Sequence, residues 1–202
     1  LLYDRDGALW IGTMTGGLAR MDPQRRALRF YRNDADDPTT LPADGVMCLY
    51  EDRSGAIWIG SFGGGLARID RTTGQLTRYP HSTGDNALSS PRASAIVEDR
   101  QGNLWIGTIG GGLNLLDRTT GRFHTFRRND RDPSSLSDDT IYAVHVDPSG
   151  IVWVGTAGGG LNQVIGSSEQ PEAIRFQSEA RLANMPSQVV YGIESDHQGV
   201  LW

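Results

Sequence analysis

Trp10, Trp58, Trp105, Trp153 and Trp202 stand 48, 47, 48 and 49 residues apart, and a period of that size marks a chain built by repeating one supersecondary unit. Two further positions keep the same beat in all five copies. Six residues before each tryptophan is Asp4, Asp52, Asp99, Asp147 or Asp196, and three before it is Gly7, Gly55, Gly102, Gly150 or Gly199. After the first four tryptophans come Gly12, Gly60, Gly107 and Gly155, then Thr13, Ser61, Thr108 and Thr156, and then a glycine cluster closed by Leu18, Leu66, Leu113 or Leu161. The unit reads D-x-x-G-x-[LIV]-W-[IV]-G-[TS]-x-x-G-G-L.

Each unit parses into four short β segments separated by turn residues, in the second copy 46–51, 56–61, 66–70 and 75–79. Asp52-Arg53-Ser54-Gly55 has aspartate at the first and glycine at the fourth position of a type I turn, which closes a hairpin between the first two strands. Thr72-Thr73-Gly74 and Thr119-Thr120-Gly121 close the hairpins between the third and fourth. Four strands per repeat define a blade, and the fold class expected is all-β: a β-propeller array over residues 1–202, with four complete four-stranded blades belonging to a larger ring. The repeats run approximately over 1–42, 43–89, 90–137 and 138–186, with a partial one at 187–202. Strand alternation gives each blade one large apolar face, carrying the tryptophan, to bury against the next. Leu1 aligns with Leu49, inside a strand, and Trp202 stops inside another, so the expectation is a window on a longer array.

Composition supports this and excludes other classes. Glycine supplies 26 of 202 residues, which suits many tight turns. The net charge is −5 and the cations, all arginine, are scattered rather than gathered in a stripe, so no nucleic-acid partner is expected. Cys48 is the one cysteine and lies in an apolar strand, which rules out an internal disulfide. No apolar run is long enough to span a bilayer, and the first residues are no signal peptide.

These repeats resemble the two-component regulator propeller repeat. The clearest copies are residues 88–126, containing Glu98-Asp99-Arg100-Gln101-Gly102-Asn103-Leu104-Trp105-Ile106-Gly107-Thr108, and residues 129–161, opening with Asn129-Asp130-Arg131-Asp132-Pro133-Ser134-Ser135-Leu136-Ser137. The resemblance implies a periplasmic sensor region of an inner-membrane receptor, built as seven-bladed propellers and acting as a homodimer. It also implies a membrane helix and a cytoplasmic output module, either a histidine kinase feeding a phosphorelay or a diguanylate cyclase. The fourth repeat departs from the pattern: Ile165 stands where Asp22, Asp70 and Asp117 stand, and residues 166–173 replace the short Thr-Thr-Gly turn, so a longer loop is expected on one rim.

The chemistry-bearing motifs weigh against catalysis. Gly107-Thr108-Ile109-Gly110-Gly111-Gly112 lacks the lysine and following helix of a phosphate loop, and its glycines read as a tight turn with close backbone approach. The Asp-to-Gly interval of three differs from the two of a sialidase Asp box. The four histidines show no metal-ligand spacing, so no metal and no cofactor are expected, and no G-x-S-x-G elbow is present. A propeller lyase or glycosidase would need acids or histidines on the inner strands, where Cys48, Ala95, Ala143 and Gly192 fall instead.

The variable segments 32–44, 81–92, 127–139 and 178–188 join the fourth strand of one blade to the first strand of the next, on the rim that also carries the glycine clusters. Loops on a rigid scaffold are where binding residues concentrate. Asn33, Asp34, Arg128, Asn129 and Asp130 are the candidates for contacting an extracytoplasmic small molecule or glycan fragment. The expected function is ligand sensing. A protein-binding scaffold is the other non-enzymatic alternative.

Overall fold

The computed structural model describes residues 1–24, 27–82, 84, 86–178 and 188–202. Four antiparallel sheets follow one another along the chain. The first holds β1 (Leu2–Tyr3), β2 (Leu9–Gly12), β3 (Leu18–Met21) and β4 (Leu28–Tyr31); the second β5 (Val46–Glu51), β6 (Ile57–Ser61), β7 (Leu66–Ile69) and β8 (Leu76–Tyr79). The third holds β9 (Ala93–Glu98), β10 (Leu104–Thr108), β11 (Gly112–Asp117) and β12 (Arg122–Phe126). The fourth holds β13 (Ile141–Val146), β14 (Val152–Thr156), β15 (Leu161–Ile165) and β16 (Arg175–Ser178). Strand order within every sheet is the chain order, and the chain is an all-β propeller. The boundary expected at 186/187 lies outside the described residues.

The repeated aspartate does more than open a turn. Gly55 N–H donates to the Asp52 carbonyl (2.9 Å) with φ +85°, a conformation glycine adopts without strain. The carboxylate then spans the hairpin: Asp52 Oδ1 accepts the Ala56 amide (3.0 Å) while Oδ2 accepts the indole N–H of Trp58 (2.8 Å). The same clamp recurs in the pairs Asp4–Trp10 (2.8 Å), Asp99–Trp105 (2.9 Å) and Asp147–Trp153 (2.9 Å). Each indole thereby has its polar edge satisfied within its own blade, as a tryptophan packed into a core requires.

The sheets pack face to face through three separate cores. Trp10 lies with Val46, Ile57, Ile59 and Ile69; Trp58 with Leu104, Ile106 and Leu116; Trp105 with Ile141, Val152, Val154 and Phe176. The expectation of one apolar face per blade is corrected by this pairing. Tryptophan points toward the following blade while the isoleucines flanking it in sequence point toward the preceding one, so β6 and β10 are buried along their whole length. Both faces must be apolar because an inner blade has a neighbour on each side. Trp10, Trp58 and Trp105 are 1% exposed, whereas Trp153 is half-buried and Trp202 is 79% exposed. The three fully buried indoles are those with a complete following sheet to pack against.

The glycine after the tryptophan lets the blades approach. A Cβ at Gly60 would lie 2.4 Å from Cys48 Sγ and 2.6 Å from the carbonyl oxygen of Ala93, the first residue of the next blade's β9. Backbone staples join the blades at that end: Val46 N–H to the Thr13 carbonyl (2.8 Å), Gly65 to Pro91 (2.8 Å) and Gly112 to Asp139 (2.7 Å). The hairpins of the first and second strands, and of the third and fourth, lie at the opposite end of each sheet. The array thus has a loop rim and a turn rim.

Candidate binding rim

On the loop rim, the polar candidates are engaged in building the loops. Asn33 Nδ2 donates to the Leu41 carbonyl (2.6 Å), and its backbone amide donates to Asp44 Oδ1 (2.8 Å). Asp34 N–H donates to Thr40 Oγ1, and its carboxylate accepts the Asp36 amide. Arg78, from the next blade's β8, plugs the same loop by donating to the carbonyls of Thr40 (2.8 Å), Asp37 (2.8 Å) and Leu41 (2.9 Å). In the third inter-blade loop the Arg128 amide donates to Asp139 Oδ1, and Asn129 Oδ1 accepts the Arg131 amide. Arg128 and Asp130 form an exposed ion pair of 2.7 Å. The structure therefore places these five residues in two separate loops. Of the segment 178–188, residues 179–187 lie outside the described residues.

Aromatic side chains on this rim went unread in the sequence. At the start of three first strands the pairing register slips by one residue, at Met47, Ser94 and Tyr142, which frees that residue from the alternation. Tyr191 occupies the equivalent place 49 residues after Tyr142. The two rings stack with centroids 4.8 Å apart and planes at 18°, and Tyr191 is 75% exposed. In the glycine turn of the second blade, Phe62 is half-exposed with the Arg92 guanidinium 6.0 Å above its ring. Phe62 could have been noticed as the one aromatic in an otherwise glycine-rich turn. The bulge that releases Tyr142 leaves no mark in a single sequence.

The turn rim is electrostatic. Arg71 follows β7 and reaches back to the preceding blade, its Nη1 2.9 Å from Asp4 Oδ2 and its Nη2 2.9 Å from Asp6. Arg118 repeats the reach, 3.2 Å from Asp52 Oδ2 and 3.2 Å from Glu98, with its guanidinium 6.0 Å over the Trp58 ring. Burial pushes the Asp52 carboxyl up, but the Ser54 hydroxyl, the Trp58 indole, the Ala56 amide and the Arg118 charge together hold it below its ordinary value. Asp4 follows the same balance, with Trp10, Ala8 and Arg71 outweighing its burial.

The inner strands carry no acid–base pair at the expected positions. Cys48 donates weakly to the Ala93 carbonyl (3.7 Å), and burial pushes its thiol up to about 12, so it holds no thiolate near neutral pH. Among the described residues no three histidine, cysteine or carboxylate side chains gather as a metal site, and no helix is long and apolar enough to cross a membrane.

Three stretches, residues 40–63, 87–110 and 135–158, match the two component regulator propeller family. Those three stretches are two-component regulator propeller repeats. Each matched stretch covers the end of an inter-blade loop, the first two strands and the start of the glycine turn, which are the parts that the aspartate clamp and blade contact constrain. No curated protein matches the chain. Among solved structures it is similar to the extracellular domain of a protein described as a hybrid two component system from B. thetaiotaomicron, with a TM-score of 0.76 and 23% identity over 96% of this chain and 24% of that one. A second such domain from the same organism gives 0.74 and 20% over 98% and 25%. Virginiamycin B lyase from Staphylococcus aureus gives 0.73 and 15% over 100% and 60%. The chain spans about a quarter of the two extracellular domains, and these likenesses concern the fold.

Proposed function

We propose that these repeats are a ligand-sensing segment in the extracytoplasmic region of a two-component signalling receptor, with the loop rim taking a glycan fragment. The regulator propeller repeats and the extracellular domains of like fold support the receptor setting. The observation that carries the binding mode is the stack of the exposed Tyr191 ring on the half-buried Tyr142 at the loop end of the first strands. A flat aromatic face with a hydroxyl at its edge suits the apolar C–H face and polar rim of a sugar ring. Phe62 with Arg92 offers a further aromatic surface beside a cation. Binding that bridges adjacent blades or a homodimer partner favours one packing over another, and output follows from that shift. The output module on this reading is a histidine kinase feeding a phosphorelay, with a diguanylate cyclase as the alternative.

The test is titration of the ectodomain with oligosaccharide pools. Wild-type protein is expected to give a saturable signal that Tyr191→Ala weakens by about tenfold or more, on the order of 1.4 kcal/mol or greater. Equal binding by the variant, or no binding by wild type to any pool, removes the basis for the reading.

A further inference from the structure

The turn rim repeats one arrangement at two blade contacts and breaks it at the third. At the first contact the Arg71 guanidinium meets Asp4 Oδ2, and at the second Arg118 meets Asp52 Oδ2. In both, the accepting oxygen is the one already bonded to a buried indole N–H, and the aspartate side chain is fully buried. The equivalent carboxylate at the third contact is Asp99, 3% exposed, with Oδ2 bonded to Trp105 Nε1 (2.9 Å). The residue in the place of Arg71 and Arg118 is Gly166. No cation among the described residues pairs with Asp99.

A cavity of about 160 Å³ lies at that place between the third and fourth blades, lined by Asp99, Gln101, Trp105, Gly166, Ser167 and Ser168 among others, with no arginine in its wall. The loop bordering it is held in place rather than collapsed inward. Asn103, where the other complete repeats have Ala8, Ala56 and Ile151, donates from Nδ2 to Ser168 Oγ (3.1 Å) and accepts the Arg118 amide at Oδ1 (3.1 Å). The longer loop expected after Ile165 is present, and it contains the 3-10 turn Pro171–Ala173.

We propose that this cavity binds a small guanidinium compound, which takes the place that an arginine side chain of the protein takes at the two preceding blade contacts. The buried carboxylate supplies the charge, the Trp105 ring the flat surface that Trp58 offers to Arg118, and Gln101 with the two serines the remaining acceptors. A water's share of liquid volume is about 30 Å³, so a planar group of four heavy atoms fits. The site lies on the rim opposite the tyrosine stack and is independent of the sensing proposal.

The test is titration of the protein with methylguanidinium at constant ionic strength, followed by the Trp105 indole N–H resonance, with urea as the neutral isostere. The expected result is a saturable shift of that resonance with methylguanidinium and none with urea over the same range. Ser167→Arg, which places a guanidinium of the chain's own beside Asp99, is expected to reduce the methylguanidinium shift at least tenfold. A linear, unsaturable response, an equal response to urea, or full binding by a folded Ser167→Arg protein overturns the assignment. Should that variant fail to fold, the urea comparison on wild type decides the matter alone.

Discussion

At the scale of the residue, the repeated aspartate explains why this unit tolerates so little change. Asp52 receives the Ala56 amide, the Trp58 indole and the Arg118 guanidinium while fully buried. Removing it leaves several buried donors without an acceptor and takes from Arg118 one of its two carboxylate partners, Glu98 being the other. Asp52→Ala is expected to cost about 3–5 kcal/mol in chemical denaturation. Asp99→Ala, which strands the Trp105 and Asn103 donors but no cation, is expected to cost about 1–3 kcal/mol. Equal losses at the two positions would show that the arginine contributes nothing. The turn role of these aspartates was legible from their spacing to glycine. Their grip on the indole six residues on was not, because the contact forms only once both strands of the hairpin are in register.

At the scale of the element, strand positions and hairpin turns were readable because period-two alternation and turn chemistry are local. In the second blade the expected segments differ from β5 to β8 by at most one residue at either end. What sequence could not supply was the partner of each face. Ile59 and Trp58 are adjacent in the chain yet belong to different cores, and only the stacking order of sheets decides which neighbour each meets. The same holds for Tyr142, released by a register slip that depends on its partner strand. Gly60 shows how tightly that stacking is set. Gly60→Ala puts a methyl group against the backbone of β9, and the expected loss is about 1–3 kcal/mol from overpacking. A thermal midpoint no lower than wild type would mean that the blades can slide apart at no cost.

At the scale of the whole molecule, the aspartate clamps act together on acid stability. Asp4, Asp52 and Asp147 each have burial pushing the carboxyl up, outweighed by indole and amide donors, joined by a serine hydroxyl at Asp52 and Asp147 and by an arginine at Asp4 and Asp52, so the folded values fall below the ordinary 3.8. A lowered folded value means the stabilisation is complete above the unfolded value and disappears as pH falls through the folded one. The thermal midpoint is therefore expected to be insensitive to these groups from neutrality to about pH 5 and to drop below it. A midpoint that rises on acidification would contradict the sign. The candidate polar residues were legible as rim residues, but they lie in two loops and bond largely within them. The aromatic stack that suits a ligand better joins two repeats, which no reading of either repeat alone would bring together.

The turns are also linked to one another. Arg5 donates to the Arg53 carbonyl, Arg53 to that of Arg100, and Arg100 to that of Pro148, so each turn leans on its successor until proline replaces arginine. Among the described residues, ion pairs reinforce the first two of these junctions. No turn in this row can tilt without pulling on the next, so a displacement imposed on one turn is handed along the rim across all three junctions.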